Sequence, residues 1–342
     1  MVCSCIGTQL VWADKTNSES ITDTAMGTDC SVRVFGSDGT AKDIMDMLSD
    51  IENKYLSWRI EGSDIANINE NASESEPVMP SKWTYSYLEN VLDLARKSSG
   101  AFDPTLGRVS QLWNLESDNP YIPSKSELTE LLLETGWEKI NLGDGEVFLK
   151  DGVQIDLGAV GKGIGCDEAQ KMLEEADADA AVVSVGGSIL TYGKKPDGKP
   201  WKIGIANPRN EDGESYLGSL TIDGTCSIST SGDYEKYVIE DGVRYHHILD
   251  PKTGYPADSG LTSVTIVSAD GTLADGLSTS LFVMGKEKAV AYWRAHSEEF
   301  DAILVENQAE AVFVTEDKEV IVTDGLKDMF TLTDSSYEQV EE

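Results

Sequence analysis

Strand-like and helix-like segments follow one another along this chain without a repeating period. The mixed order indicates an α+β or mixed α/β domain with mixed sheets and packed helices, and argues against a doubly wound sheet. Helical spacing of apolar residues predicts helices over 41–55, 83–98, 124–134, 163–175 and 273–284. Alternating or short apolar runs predict strands over 31–35, 139–142, 146–149, 154–157, 180–185, 188–192, 201–206, 217–222, 226–230, 261–267, 300–305, 311–314 and 319–322.

Composition divides the chain into three parts. Residues 1–22 form a polar leader, residues 23–330 one domain, and residues 331–342 an acidic tail. The leader lacks the long apolar core of a signal peptide, and no run of the chain is long and apolar enough to span a bilayer. Cys3 or Cys5 could be what remains of a lipid-attachment site, with the leader as a linker.

The net charge of -34 limits the classes of ligand. A nucleic-acid-binding protein needs a basic face that displaces counterions, so nucleic acid is not expected as a partner. An acidic protein can still bind an anionic ligand if backbone N–H groups, a helix N-terminus or a divalent cation assist it. The composition therefore predicts a metal wherever an anion binds. Five cysteines without a CxxC pair make a structural zinc site improbable.

The first candidate for chemistry is Asp156-Leu-Gly-Ala-Val-Gly-Lys-Gly163. It predicts a glycine turn that leads into a helix, where backbone N–H groups and the helix N-terminus favour an anion. Lys162 could neutralise a phosphate, and Asp156 could hydrogen-bond a ring or a ribose. The spacing fits neither a P-loop nor GxGxxG. By itself the segment is as consistent with a purely structural glycine turn.

The second candidate is the pair Asp275 and Thr279, four residues apart and therefore on one face of a predicted helix. A carboxylate and a hydroxyl one turn apart can bind a hard cation and leave positions open for water and phosphate oxygens. The alternative is a helix-capping aspartate followed by an ordinary helical threonine.

The third candidate is Ser229-Thr-Ser-Gly-Asp-Tyr234, followed by the segment from Tyr245 to Pro256 with its Asp-Pro-Lys-Thr-Gly turn. His247 could transfer a proton near neutral pH, and Asp250 is the alternative base. A structured hairpin with an exposed histidine explains the segment equally well. The loop from Gly100 to Gly107, with Phe102 and Asp103, says little beyond a turn.

Taken together, these segments resemble the ApbE family of FAD:protein FMN transferases over about residues 24–325. The resemblance is carried by eight motifs in the same order. They are Met26-Gly-Thr28, Gly100-Ala-Phe-Asp103, Asp156-Leu-Gly-Ala-Val-Gly-Lys162, Val185-Gly-Gly-Ser188, Trp201-Lys-Ile-Gly-Ile205, Thr230-Ser-Gly-Asp233, His247-Ile-Leu-Asp-Pro251 with Thr253-Gly254, and Ala274-Asp-Gly-Leu-Ser-Thr279.

The resemblance implies one ApbE-like domain, related to the T-fold, that binds FAD and Mg²⁺. The implied metal ligands are the Ala159 carbonyl, Asp275 and Thr279. The implied contacts with the flavin and the nucleotide are Met26, Trp58, Ala101, Phe102, Asp103, Asp156, Lys162 and Leu249. Ser278 stands where some relatives have another acidic ligand, and Ser188 replaces the aspartate of the usual Gly-Gly-Asp.

The implied reaction transfers the FMN half of FAD to a threonine hydroxyl of an acceptor protein and releases AMP. His247, Lys162 and Asp275 are the candidate catalytic residues, and the expected partner is a separate electron-transfer subunit. Exported members of the family often carry a lipidated cysteine, which favours an extracytoplasmic, membrane-anchored protein. An FAD pyrophosphatase and a non-catalytic flavin-binding protein are the alternatives.

Overall fold

The computed structural model describes residues 18–115, 117, 119–150, 152–209, 216–306 and 318–342. The helices are α1 (Thr40–Ile51), α2 (Asp64–Asn71), α3 (Lys82–Lys97), α4 (Gly107–Trp113), α5 (Lys125–Leu132), α6 (Gly161–Glu175), α7 (Gly271–Met284) and α8 (Lys286–His296). The strands are β1 (Ser18–Ala25), β2 (Thr28–Phe35), β3 (Ile140–Gly143), β4 (Glu146–Leu149), β5 (Ala180–Val185), β6 (Ser188–Gly193), β7 (Trp201–Ala206), β8 (Tyr216–Ile222), β9 (Cys226–Gly232), β10 (Tyr237–Glu240), β11 (Val243–His246), β12 (Leu261–Ser268), β13 (Asp301–Glu306), β14 (Glu319–Val322), β15 (Phe330–Leu332) and β16 (Glu338–Glu341).

The chain forms two compact units, each assembled from separate stretches of sequence. Of the described residues, unit 1 contains 18–49, 162–209, 216–235, 259–306 and 318–342, and unit 2 contains 50–115, 117, 119–150, 152–161 and 236–258. Among the described residues, no helix has the length and apolar character needed to cross a membrane.

Unit 1 is built on a nine-stranded sheet in the order β1-β2-β5-β6-β9-β12-β13-β14-β16. Its pairs are antiparallel except for β14 and β16, which run parallel. A second sheet has the order β15-β8-β7. Helix α7 packs on β9 and β12, and this contact places the polar residues of α7 next to the strand that carries Ser229 and Ser231.

One apolar core cluster of unit 1 joins side chains from both sheets. Phe35, Val182 and Ile303 come from the nine-stranded sheet, while Trp201 and Leu220 come from the smaller one. These side chains are at most 4% exposed, and burial of each stabilises the unit by roughly 1.5–3 kcal/mol before entropy is counted. Alternation along β7 explains the arrangement, since every second residue is buried.

Unit 2 is mainly helical, with the two hairpins β3–β4 and β10–β11. Its apolar cluster joins Val109 and Trp113 of α4 to Leu128 of α5 and to Leu249. The Trp113 indole Nε1–H donates a hydrogen bond of 2.7 Å to the carbonyl oxygen of Gly254. The turn that follows His247 is therefore fixed to α4 through a buried side chain.

Most predicted elements are confirmed within a few residues, including all five helices. The strand predicted over 154–157 is wrong: Gln154 makes one isolated bridge to Leu106, and no ladder continues beyond it. The strand predicted over 311–314 lies outside the described residues, as do Cys3 and Cys5. The sequence analysis missed β1, which starts inside the polar leader, and β16, which lies inside the acidic tail.

Candidate active site

Asp275 is the centre of a buried polar cluster in unit 1. Its side chain is 2% exposed. One oxygen, Oδ2, accepts a hydrogen bond of 2.9 Å from the backbone N–H of Gly163, and Oδ1 accepts one of 2.9 Å from the Ser229 hydroxyl. The Ser188 hydroxyl lies 3.4 Å from Oδ1. These donors hold the Asp275 carboxylate in one orientation, and a carboxylate fixed in this way is a suitable ligand for a hard cation.

Lys162 approaches the same carboxylate from the first turn of α6. Its Nζ lies 3.4 Å from Asp275 Oδ1, and its side chain is 24% exposed. Burial by itself would lower the pKa of Lys162, but the carboxylates of Asp275 and Glu235 outweigh burial and raise the pKa above its ordinary value. The ammonium is therefore charged at neutral pH and can attract a phosphate group.

Thr279 lies one helical turn after Asp275 and is half-buried. Its hydroxyl is 3.2 Å from that of Ser231, which is in turn 2.7 Å from the hydroxyl of Ser278. Ser278 also donates to the carbonyl oxygen of Asp275 at 2.8 Å. The predicted metal-binding pair therefore lies within a network of neutral hydroxyl groups.

Ser229 and Ser231 belong to the third candidate segment, but the sequence analysis assigned neither of them a role. Serines at 227, 229 and 231 recur at every second position of β9, so their side chains lie on one face of the strand. The hydroxyls of Ser188 and Ser229, neighbours in the pairing of β6 with β9, are 2.7 Å apart. The alternation predicts a polar face, but only the packing of α7 on β9 shows what that face contacts.

In unit 2, the predicted glycine turn is present and ends where α6 begins. The N–H groups of Val160 and Gly161 both donate to the carbonyl oxygen of Leu157, at 3.1 and 2.9 Å. Asp156 Oδ1 accepts a hydrogen bond of 2.8 Å from the N–H of Gly158. Ala159 is half-buried within this turn, and its assignment as a metal ligand stays a prediction.

The loop with Ala101, Phe102 and Asp103 runs beside this segment, because the N–H of Asp156 donates to the Pro104 carbonyl oxygen at 2.8 Å. Phe102 is 2% exposed. Asp103 accepts hydrogen bonds from the N–H and hydroxyl of Thr105 at 2.9 and 2.5 Å. Burial raises the pKa of Asp103 despite these hydrogen bonds.

Trp58 and Leu249 have different surroundings in unit 2. The Arg59 guanidinium lies 4.1 Å from the centre of the Trp58 ring. The buried Trp58 Nε1–H has no hydrogen-bond acceptor in the part of the chain that is described. Leu249 packs in the core cluster and is 7% exposed, so a ligand would meet its main chain sooner than its side chain.

His247 and Asp250 also differ in the hydrogen bonds that they make. Asp250 Oδ1 accepts a hydrogen bond of 2.9 Å from the N–H of Lys252, and the Asp250 carbonyl oxygen accepts one of 2.8 Å from Gly254. The turn chemistry accounts for this aspartate. His247 is half-buried, and its N–H donates to the Lys236 carbonyl oxygen at 3.0 Å, which closes the base of the β10–β11 hairpin.

Met26 and Gly27 form the two-residue turn between β1 and β2 in unit 1. Both have positive φ, 55° for Met26 and 67° for Gly27, as expected for a type I′ hairpin turn. Glycine adopts this conformation without strain, but a methionine does not. Strain of this kind is typical of functional positions, which supports the predicted role of Met26 in ligand binding.

The donor set around Asp275 matches magnesium better than a softer metal. In the described residues, no three His, Cys, Asp or Glu side chains lie close enough to form a metal site by themselves. One carboxylate and one hydroxyl are hard oxygen donors, and Mg²⁺ commonly uses one or two carboxylates together with water and substrate phosphates. The residues present therefore fit a magnesium ion that binds with a phosphorylated substrate.

Comparison with known proteins defines the class. The curated FAD:protein FMN transferase of Treponema pallidum is 33% identical, with 91% of this chain and 88% of the relative covered. A Klebsiella pneumoniae protein of the same name is 32% identical, with coverage of 82% and 83%. The solved ApbE protein of Thermotoga maritima is 34% identical with a TM-score of 0.78, covering 87% of this chain and 97% of that one.

The flavin transferase ApbE of Vibrio cholerae is 26% identical and superposes with a TM-score of 0.79, covering 91% of this chain and 99% of that one. These relatives define a class of flavin transferases. The sequence profile of the ApbE family matches residues 26–304. The chain belongs to the ApbE family, which confirms the predicted resemblance and the α+β fold.

Proposed function

We propose that this enzyme transfers the FMN moiety of FAD to a threonine hydroxyl of an acceptor protein, with Mg²⁺, and releases AMP. The general reaction follows from family membership, since the curated relatives named above are FAD:protein FMN transferases. The threonine and the magnesium ion are the finer parts of the proposal. The threonine rests on the resemblance to the family, and the arrangement around Asp275 supports the magnesium ion.

The observation that carries the proposal is the buried Asp275 carboxylate with the Lys162 ammonium 3.4 Å from it and Thr279 one helical turn further on. The hydroxyl and the carboxylate would hold Mg²⁺, together with the predicted Ala159 carbonyl. When bound, the ion would neutralise pyrophosphate charge and stabilise the leaving oxygen. Lys162 would attract the remaining phosphate charge.

The residues of unit 2 supply the expected means of binding a dinucleotide. A helix start favours phosphate through its partial positive charge, and the glycine turn leads directly into α6. The N–H groups of Gly158, Val160 and Gly161 hold the turn itself, so the charge of the helix start carries this part of the proposal. Asp156 lies at the start of the turn, where the resemblance places a contact with the ligand. The Trp58 indole N–H, which is buried without an acceptor among the described residues, is a donor suited to a polar atom of the ligand.

In the proposed step, the threonine oxygen forms a bond with the phosphorus of the FMN half. The bond between that phosphorus and the oxygen bridging the two phosphates breaks, and AMP leaves with that oxygen. The hydroxyl proton passes to a base on the enzyme. Such a transfer depends mainly on alignment and on charge neutralisation, which fits a site with one carboxylate and one ammonium.

His247 is the proposed base. An imidazole accepts protons near neutral pH, whereas the Asp250 carboxylate is engaged by the N–H of Lys252 within its own turn. We expect His247→Gln to reduce the transfer rate by about 10²-fold or more, and Asp250→Asn to preserve it. Equal loss in both variants would contradict this assignment.

A direct test incubates the protein with FAD, Mg²⁺ and an acceptor domain that presents a threonine. The mass of the acceptor should rise by one FMN, and AMP should appear in equal amount. An acceptor with Thr→Val at that position is the matched control and should stay unmodified. Free FMN formed faster than the adduct would instead indicate an FAD pyrophosphatase, and unchanged FAD would indicate a flavin-binding protein.

The acceptor and its location complete the proposal. A separate electron-transfer subunit is the proposed acceptor. Cys3 or Cys5 is the proposed lipid-attachment site, which would place the enzyme outside the cytoplasm at a membrane. Metabolic labelling with a radioactive fatty acid should mark the wild-type protein and not a variant with serine at both positions. Equal labelling of the two proteins would exclude these cysteines.

A further inference from the structure

Asp167 connects two helices of unit 1 and was not singled out by its sequence. It lies on α6, five residues after Lys162. Its Oδ1 accepts a hydrogen bond of 2.6 Å from the N–H of Gly271, and its Oδ2 accepts from the N–H and hydroxyl of Thr272 at 2.8 and 2.5 Å. The Asp167 carboxylate therefore accepts all three of these hydrogen bonds from the first turn of α7.

Helix α7 already has its own cap. Asp270 precedes the helix, and its side chain accepts a hydrogen bond of 2.7 Å from the N–H of Leu273. A second carboxylate at the same helix start adds repulsion and requires the burial of charge. Burial and the neighbouring charge of Asp270 raise the pKa of Asp167 to about 6. Formation of the helix does not account for an arrangement with these costs.

Two glycines bring the helix starts into main-chain contact. A Cβ on Gly163 would lie 2.1 Å from the Gly271 carbonyl oxygen and 2.8 Å from the Cβ of Asp275. A Cβ on Gly271 would lie 2.6 Å from the Gly163 carbonyl oxygen and 2.8 Å from Asp167 Oδ1. We call Gly163, Asp167, Gly271 and Thr272 the α6–α7 clamp.

The α6–α7 clamp joins the two helices that carry the candidate active-site residues Lys162, Asp275 and Thr279. Lys162 is next to Gly163 in the sequence, and the N–H of Gly163 donates directly to Asp275 Oδ2 at 2.9 Å. Asp275 is one helical turn after the start of α7. A shift of α7 along α6 would therefore change the distance between the ammonium and the carboxylate, and with it the position of Thr279.

We propose that Asp167 is a positioning residue that holds α7 in register with α6 and so sets the geometry in which Asp275 and Thr279 bind the metal. This inference rests on the proposed function for the identity of the metal site. Asp167 acts through the first turn of α7 and has no contact with the substrate in this role.

The first experiment measures metal binding without turnover. Mn²⁺, as a substitute for Mg²⁺, is titrated into the full-length protein with saturating FAD and no acceptor, and free Mn²⁺ is followed by electron paramagnetic resonance. Asp167→Asn should raise the dissociation constant for Mn²⁺ about tenfold, as is usual when a group that orients a metal ligand is lost. Thr272→Val, which removes one donor to Asp167, should raise it less.

Asp46→Asn is the matched control, because this carboxylate is 61% exposed and pairs with the exposed Lys42 of the same helix. Its Mn²⁺ affinity should equal that of the wild type. If folded Asp167→Asn binds Mn²⁺ as tightly as the wild type, the proposal is wrong. If that variant does not fold, Thr272→Val decides by the same criterion.

The second experiment separates positioning from general stability. With Mg²⁺ varied, Asp167→Asn should raise the Mg²⁺ concentration for half-maximal transfer about tenfold, and high Mg²⁺ should restore most of the rate. A merely structural role would lower the amount of active protein at every Mg²⁺ concentration. The two proposals can fail separately. If Asp167→Asn binds Mn²⁺ more weakly but the wild type transfers no FMN, the positioning role holds and the proposed function is wrong.

Discussion

The candidate-site carboxylates of unit 2 are held mainly by their own turns, apart from one hydrogen bond of 3.2 Å that Asp103 accepts from the N–H of Trp137. Asp275 of unit 1 is held by distant parts of the chain. In unit 2, Asp103, Asp156 and Asp250 each accept a hydrogen bond from the backbone N–H two residues further on, at 2.8–2.9 Å. In unit 1, Asp275 accepts hydrogen bonds from Gly163 and Ser229, which lie 112 and 46 residues away in the chain.

The difference separates two uses of an acidic residue. A carboxylate that bonds to its own backbone two residues on shapes a turn, and asparagine can make the same turn. A carboxylate held by distant groups is positioned by the assembled fold and does not shape a local turn. Substitutions that remove charge but preserve shape should therefore affect the two units unequally.

The largest effect is expected for Asp275→Asn. The amide preserves the shape of the side chain but removes the charge that a divalent cation requires, so transfer of FMN should fall by more than about 100-fold. The mass of the acceptor after incubation with FAD and Mg²⁺ measures the loss. Asp46→Asn, the exposed control, should transfer FMN normally. Normal transfer by Asp275→Asn would show that Asp275 is not a metal ligand.

A smaller effect is expected when the Ser229 hydroxyl, which orients the Asp275 carboxylate, is removed. Ser229→Ala removes the donor 2.9 Å from Asp275 Oδ1 and should raise the Mg²⁺ requirement about tenfold. Ser227 is the matched control on the same face of β9, since its buried hydroxyl makes no hydrogen bond to the described residues. Ser227→Ala should leave the Mg²⁺ dependence unchanged, and identical behaviour of the two variants would contradict the role of Ser229.

The pH dependence of stability should reveal Asp167. Its pKa is raised from 3.8 to about 6 by burial and by the charge of Asp270, so the folded protein binds a proton there that the unfolded chain releases. Lowering the pH from 7 to 5 should therefore stabilise the wild type relative to Asp167→Asn by about 1 kcal/mol.

Urea unfolding at the two pH values measures that difference. Cys166 is also a neighbour of Asp167, and burial raises the pKa of its thiol well above the ordinary value, so the thiol stays neutral in this range. If the wild type and Asp167→Asn differ in free energy of unfolding by the same amount at pH 7 and at pH 5, Asp167 does not titrate in this range.

The smallest effect is expected for Asp250→Asn in unit 2. Because asparagine can accept the same hydrogen bond from Lys252, the free energy of unfolding should change by less than about 0.5 kcal/mol. Thermal or urea unfolding measures this change. A loss of FMN transfer without a loss of stability would make Asp250 the base and would end the contrast drawn between the two units.

The comparisons bear out the family and the fold class expected from the sequence. Transfer of FMN, the expected activity, is also that of the curated relatives. The individual metal, nucleotide and catalytic assignments stay predictions that the variants above can test.

Local chemistry determined much of the fold. The β3–β4 hairpin turns at Asp144 and Gly145, both with positive φ, at 53° and 83°, as the sequence Gly-Asp-Gly predicts. Helix α5 begins at Ser124 with a complete capping box to Glu127. The glycine turn before α6 could also be predicted. Each of these features depends on hydrogen bonds within a few residues, so the sequence alone specifies them.

Only the tertiary structure decided which distant groups meet. The predicted strand at 154–157 is not a strand because no neighbouring segment continues its pairing beyond Leu106. The polar segment that forms β16 is a strand because β14 pairs with it. Asp275 reaches the N–H of Gly163 because Gly163 and Gly271 let the starts of α6 and α7 approach closely. Asp167 on α6 also accepts a hydrogen bond from the N–H of Gly271. Long-range pairing and close packing depend on the whole chain, and no local pattern encodes them.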